Sequence, residues 1–179
     1  MASLPLSNLY LSPVNWPFGV PLLEGVKLFD LKKFPDERGY FSEVLRQDWK
    51  DLFGEDWISQ ANLSYSYPGM IRAWHRHLRG QIDYFLVVKG AMKICAYDET
   101  LKQVDEIIAS EHKHQIVKIP GKYWHGTKTV SSQPSLTVYF VNRLYDYKNP
   151  DEERRDWNDP KIIDGKTGKP FDWNKPPHK

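Results

Sequence analysis

Short runs of β-branched and aromatic residues recur along this chain and are divided every few residues by Gly, Pro, Asn or Asp. Punctuation this frequent leaves no room for long helices and selects an all-β sandwich or barrel. The pattern predicts strands over 26–31, 40–45, 58–65, 70–75, 84–88, 92–97, 104–108, 115–119, 126–130 and 136–141. One short helix is predicted over 47–53, where Trp49, Leu52 and Phe53 share helical spacing and Gly54 is a natural stop. A chain of 179 residues that is 40% hydrophobic has enough apolar material for a real core. We expect a single domain over 1–179: an extended arm over 1–21 containing Pro5, Pro13 and Pro17, a β core over 22–141, and a charged, Trp- and Pro-rich tail over 142–179 that wraps the core.

Charge and targeting signals narrow the function classes. A formal net charge of +2 gives no field that would imply nucleic acid or an anionic membrane as partner. Met1-Ala2-Ser3-Leu4-Pro5 lacks the basic segment and apolar run of a secretion signal, and no stretch nears the roughly 18 apolar residues of a membrane span. A cytoplasmic protein is expected. Cys95 is the only cysteine, which excludes an intrachain disulfide, and its place in an apolar run reads as core filler.

The chemistry concentrates in two segments. Ile71 to Asp83 contains Arg72, His75, His77, Gln81 and Asp83, and Ile119 to Gly126 contains His125. Strand alternation puts His75 and His77 on one face and Trp74 and Arg76 on the other. Two imidazoles on one face serve either a metal or proton transfer. For the metal reading, Gly69, His75, His77, Gln81, Gly90, Pro120 and His125 are similar to the two-part cupin pattern, so His75, His77, Gln81 and His125 form an alternative ligand set for a divalent transition ion. For proton transfer, His75 is the base, and Tyr139, which alternation turns away from Leu136, Val138 and Phe140, lines a cavity or faces solvent. Arg38 is placed to clamp a phosphate or to pair with Asp36 or Glu37. Arg72 shares a pocket with His75 only if a bulge or twist intervenes, because three residues of regular strand separate their faces. His112 and His114 read as a solvated turn without a role.

Taken in order, Asp36-Glu37-Arg38-Gly39-Tyr40-Phe41-Ser42-Glu43, Gln60-Ala61-Asn62-Leu63-Ser64, Arg72-Ala73-Trp74-His75, Pro120 to Gly126 and Trp157-Asn158-Asp159 resemble the dTDP-4-dehydrorhamnose 3,5-epimerase family. The resemblance runs from about Gly25 to Asp159. It implies a cupin-type double-stranded β-helix, or jelly roll, a homodimer, a nucleotide-sugar substrate, and no cofactor or metal. It also implies proton abstraction at C3 and/or C5 of a 4-keto-6-deoxy sugar for deoxysugar or polysaccharide biosynthesis. The catalytic roles fall by position on His75 as base and Tyr139 as acid. Asn62, Arg72 and His125 match sugar-side contacts, Arg38 and Glu43 match nucleotide-side contacts, and Gln60 joins the substrate-binding set. Three departures stand out. Asp83 aligns with a lysine that steadies the enolate in the family, and it is a candidate orienter of His75. The family's C-terminal aspartate partner for the histidine has no convincing counterpart in Asp164 or Asp172. His77 and the Ala73-Trp74 pair are foreign to the pattern. A metal-dependent cupin isomerase or dioxygenase and a non-catalytic sugar-nucleotide binding protein are the alternative readings.

Overall fold

The computed structural model describes residues 21–175, so the arm predicted over 1–21 lies, all but Pro21, outside the described residues. The first part of the chain forms β1 (Lys27–Asp30), β2 (Phe34–Asp36), β3 (Gly39–Phe41), α1 (Lys50–Phe53), β4 (Gln60–Ser66), β5 (Ile71–Arg76) and β6 (Ile82–Lys89). It continues through β7 (Ala91–Asp98), β8 (Gln103–Ser110), β9 (Gln115–Pro120), β10 (Trp124–Thr129) and β11 (Ser135–Val141). The tail adds the two-residue strands β12 (Glu153–Arg154), β13 (Ile163–Asp164) and β14 (Lys169–Pro170). Two five-stranded sheets, ordered β1-β9-β6-β11-β4 and β12-β5-β10-β7-β8, form the jelly roll expected from the sequence, and β2 with β3 makes a separate hairpin. Neighbouring strands within both sheets pair antiparallel.

Alternation along the strands builds three apolar layers. Between the sheets, Phe85 and Val87 of β6 meet Met92, Ile94 and Ala96 of β7, Ile107 and Ala109 of β8, and Val117 and Ile119 of β9. Outside the first sheet, Tyr84, Leu86, Ile116 and Phe140 are capped by Leu52 and Phe53 of α1. Outside the second, Trp74, Cys95, Tyr97 and Trp124 are covered by Ile162, Phe171 and Trp173 of the tail. Because β6 and β7 are buried on both faces, they read as continuous apolar runs rather than strict alternations. The tail is also tied by polar contacts. The Trp157 carbonyl accepts from the indoles of Trp74 (3.2 Å) and Trp173 (3.1 Å), and β12 extends the sheet beside β5.

Three local expectations are corrected. The helix keeps only its last turn, Lys50–Phe53, because the Gln47 side chain is spent on the Asp56 carbonyl and the Ile58 amide, bracing a loop where a first helical turn was expected. The strand expected over 40–45 stops at Phe41, since β3 has only the three residues of β2 to pair with. His114 is buried rather than solvated. Its carbonyl accepts from Leu31 N at 2.9 Å, which draws the backbone in, and its ring meets Tyr40 edge-on at 5.5 Å.

One irregularity sets up the site. In the β5–β10 ladder His75 opposes His125 and Arg72 opposes Thr127, so β5 spends three steps where β10 spends two. This extra residue is the bulge required for Arg72 and His75 to share a pocket. Gly126 lies under it, and a Cβ there would strike Ala73 and come within 2.8 Å of the Arg72 carbonyl. Gly126→Ala is expected to destabilise the fold by about 1–3 kcal/mol, the usual cost of overpacking, as read by urea denaturation. A change below about 0.5 kcal/mol, the range of an ordinary surface substitution, would show that β5 moves aside freely.

Candidate active site

A cleft of about 400 Å³ opens between the two sheets. His75 and Arg72 of β5 line it from one sheet, and Asn62 of β4, Phe85 of β6 and Tyr139 of β11 line it from the other. Gln60, His77, Gln81, Asp83, Tyr145, Tyr147, Glu152 and Arg154 are among the other lining residues. Arg72 is held by Ser66 Oγ at 3.1 Å and the Tyr65 carbonyl at 3.3 Å. Tyr139 leans on Phe85, with ring centroids 5.7 Å apart.

Three of the lining residues, His75, His77 and Asp83, join His125 behind them in a largely buried cluster whose side-chain donor atoms all fall within 4.8 Å of one another. Asp83 is 2% exposed and His125 0%. Asp83 Oδ1 accepts from Gln81 Nε2 at 2.8 Å, and Oδ2 lies 2.8 Å from His125 Nε2. His125 Nδ1 donates to the Tyr123 carbonyl at 2.9 Å, so its other nitrogen must also carry a proton to bond a carboxylate. His77 Nδ1 faces the Asp151 carbonyl, while its Nε2 sits within ion-pair range of Asp83 Oδ2, at 3.6 Å, but has no hydrogen-bond partner. The Gly121 turn holds this edge. His77 N donates to the Gly121 carbonyl at 2.7 Å and Gly121 N to the Gln81 carbonyl at 2.9 Å. A Cβ on Gly121 would collide with the Gln81 carbonyl and lie 2.8 Å from His77 Cβ.

These contacts set the charges. Burial pushes the Asp83 carboxyl up, but hydrogen bonding and charge from His125 and His77 outweigh it and hold the group well below the usual carboxylate range. Burial, reinforced by His125, drives the His75 imidazole well below its ordinary value against the pull of Asp83, which favours the neutral ring. In His77 burial is overcome by Asp83 and by the Asp151 carbonyl, and the value rises. Burial and the charge of Asp83 raise the Tyr139 phenol against the opposing Arg72, which keeps it protonated.

Against the residues expected from sequence, His75, Tyr139, Asp83, Gln60, Asn62 and Arg72 are brought together. Four are not, or not as expected. His125 does not reach the cleft, and its polar atoms are spent on Asp83 and the Tyr123 carbonyl. Arg38 is 81% exposed and paired to Asp36 at 2.6 Å, and Glu43 pairs with Arg46 at 2.8 Å, so neither lines this chain's cleft. Asp83 bonds Gln81 and His125 rather than orienting His75 directly, and it takes the place beside the imidazoles expected for Gln81. Asp164 and Asp172 are spent on turns of the tail. Sequence reasoning missed Tyr145, Tyr147, Glu152 and Arg154, which the tail delivers to the rim. The only signal was the mixed run Asp151 to Arg155, which by composition alone reads as a solvated face.

The comparisons with known proteins bear on this cleft. The model of the dTDP-4-dehydrorhamnose 3,5-epimerase family matches residues 22–164. The chain is 39% identical over 78% of its length, and 97% of the relative, to the probable low-salt glycan biosynthesis epimerase Agl13 of Haloferax volcanii. It is 32% identical, over 86% of its length and 97% of the relative, to the spore coat polysaccharide biosynthesis protein SpsL of Bacillus subtilis. The crystal structure of the Legionella pneumophila dTDP-6-deoxy-D-glucose-3,5-epimerase in complex with dTDP-4-keto-L-rhamnose superposes with a TM-score of 0.70 at 25% identity, covering 78% of this chain and 77% of that one. With a family match running from the first described residues into the tail, and with a histidine and a tyrosine on opposite walls of one cleft, this chain belongs to the dTDP-4-dehydrorhamnose 3,5-epimerase family of sugar-nucleotide epimerases.

Proposed function

We propose that this chain epimerises a nucleotide-linked 4-keto-6-deoxy sugar for glycan biosynthesis, with His75 removing a proton next to the ketone and Tyr139 returning one from the far side. The observation that carries this reading is the pairing of a half-buried imidazole held in its neutral form on one sheet with a protonated phenol on the other, both facing the same cleft. The family's reaction needs no cofactor, and a positioned acid and base each contribute roughly 10²- to 10⁴-fold. Abstraction leaves an enolate whose charge needs nearby donors. Arg72 and Arg154 both line the cleft and supply guanidinium groups for it or for the diphosphate.

Asp83 in place of a lysine does not defeat this chemistry, because its charge is already matched by the proton on His125 Nε2. The carboxylate faces the histidine cluster as one half of an ion pair. His125, beneath His75 with ring centroids 4.2 Å apart, then fixes the base by packing against it.

A cytoplasmic homodimer completes the reading. Support for the dimer comes from exposed apolar side chains on the β2–β3 hairpin (Phe34, Tyr40 and Phe41) and on the edge strand β4 (Leu63 and Tyr65). In a dimer, the hairpin carrying Arg38 becomes available to a partner's cleft. Among the described residues, no helix is long and apolar enough to cross a membrane.

Incubation with dTDP-4-keto-6-deoxyglucose in D₂O, followed by NMR, tests the chemistry. Wild-type protein is expected to introduce deuterium at C3, C5 or both, and His75→Ala to lose about 10²- to 10⁴-fold of that rate while remaining folded. Full exchange in His75→Ala removes His75 as the base. Tyr139→Phe separates the roles, since exchange on the His75 side should persist while inversion is lost. The pH profile is a further check. A base held well below its ordinary value stays neutral as pH falls, so exchange should remain level through pH of about 6.5, where an unperturbed imidazole would already be losing activity. A decline centred near 6.5 would mean that burial does not keep His75 neutral.

A further inference from the structure

Two of the residues foreign to the family pattern, His77 and Asp83, come together with His125 and His75 in an arrangement that acid–base catalysis by His75 and Tyr139 does not require. His77 is 6% exposed, and its Nε2 is buried without a hydrogen-bond partner. Burying such an atom is costly, so it points to something that occupies the space beside it. His77 and His125 each turn Nδ1 to a backbone carbonyl, of Asp151 and Tyr123 respectively. A carbonyl accepts only, so both Nδ1 atoms carry protons and both Nε2 atoms are directed at Asp83 Oδ2, at 3.6 Å and 2.8 Å. Two donors about 2.1 Å from one tetrahedral ion lie about 3.4 Å apart, and the observed separations straddle that value. The outer contacts match as well. Ligating histidines usually donate their second N–H to a carbonyl or carboxylate, and ligating carboxylates are themselves hydrogen-bonded, as Asp83 Oδ1 is by Gln81.

We infer that His75, His77, Asp83 and His125 form a binding site for a divalent transition-metal ion, and that the ion, by taking the lone pair of His75, acts as a reversible brake on proton abstraction. Three imidazoles and one carboxylate suit Zn²⁺ and its neighbours in the first row rather than Mg²⁺ or Ca²⁺. All four donor atoms fall within 4.8 Å of one another, close enough for one ion to draw them in. Binding displaces the proton on His125 Nε2, so at least that proton passes to solvent as the metal enters. A neutral imidazole has one lone pair and one N–H, and a ring whose lone pair is committed to metal has none left for a substrate proton. The brake rests on the proposed role of His75 as base, whereas the metal site does not.

Calorimetric titration of chelator-treated protein with ZnCl₂, in buffers of different ionisation enthalpy, tests the site. One saturable ion per chain with proton release is expected, together with a rise in melting temperature. His75→Ala, His77→Ala and Asp83→Asn are each expected to weaken zinc binding at least tenfold. Asp83→Asn preserves shape and guards against loss of fold as the cause. Absence of saturable binding, or unchanged affinity in the His77 and Asp83 variants, overturns the site. Unchanged affinity in His75→Ala alone overturns the brake. In the deuterium-exchange assay, one equivalent of zinc should abolish exchange and a chelator should restore it. If zinc affinity depends on His75 and exchange continues in the loaded protein, the site stands and the role of His75 as base falls.

Discussion

A carboxylate with 2% exposure has to be given positive charge, and the interior around Asp83 is organised to provide it. Its charge is met by a proton on His125 Nε2, which requires His125 Nδ1 to face an acceptor, found in the Tyr123 carbonyl. Its second oxygen is tied to Gln81, and the Gln81 backbone is held by Gly121. Two segments far apart in sequence, around Gln81 and Asp83 and around Gly121 and His125, are therefore committed by one buried charge. Removing His125 would leave that charge without its bonded proton, whereas removing both partners together would remove the need for either.

The sheets bring these segments together through features that look incidental one at a time. The bulge in β5 turns Arg72 and His75 to the same side, and it is accommodated because β10 carries glycine opposite it. The outward-facing Trp74 is then left beneath the tail, where Phe171 and Trp173 pack on its ring at centroid distances of 5.5 and 4.8 Å. Docking the tail places Arg154 opposite His75 in the ladder and the Asp151 carbonyl against His77. Packing on the outer face of one sheet thus positions polar groups at the mouth of the cleft between the sheets.

How much of this was legible in the sequence differs by layer. Nine of the ten strands in the two sheets were readable, all but β12 of the tail, because β-branched runs and turn residues report directly on a pleated, buried surface. The first-turn register of the helix was not, since a side-chain bond from Gln47 to a distant backbone leaves no periodic signal. Within the site, His75 and Tyr139 could be found from strand alternation and motif order. The burial of His125 and the true partner of Asp83 could not, because both depend on how β6 and β10 sit across the sandwich rather than on either strand alone. The tail residues Tyr145, Tyr147, Glu152 and Arg154 were hidden for a related reason. A charged segment reads as solvated until it is known which surface it covers.

The substitution of an anion for the family's lysine acquires a physical sense from these contacts. A lysine near the enolate supplies a fixed cation that is always present. A buried aspartate surrounded by imidazoles supplies a position that must hold a cation, but leaves its identity to conditions: the proton on His125 in one state, or a metal ion shared by four donors in another. The same three histidines surround the carboxylate in both states, so exchanging one cation for the other needs no change of fold, only withdrawal of the His125 proton and commitment of the His75 lone pair. On the proposed roles, one cluster holds both the base and the metal site, and the His77 nitrogen buried without a hydrogen-bond partner is the observation that points to the second.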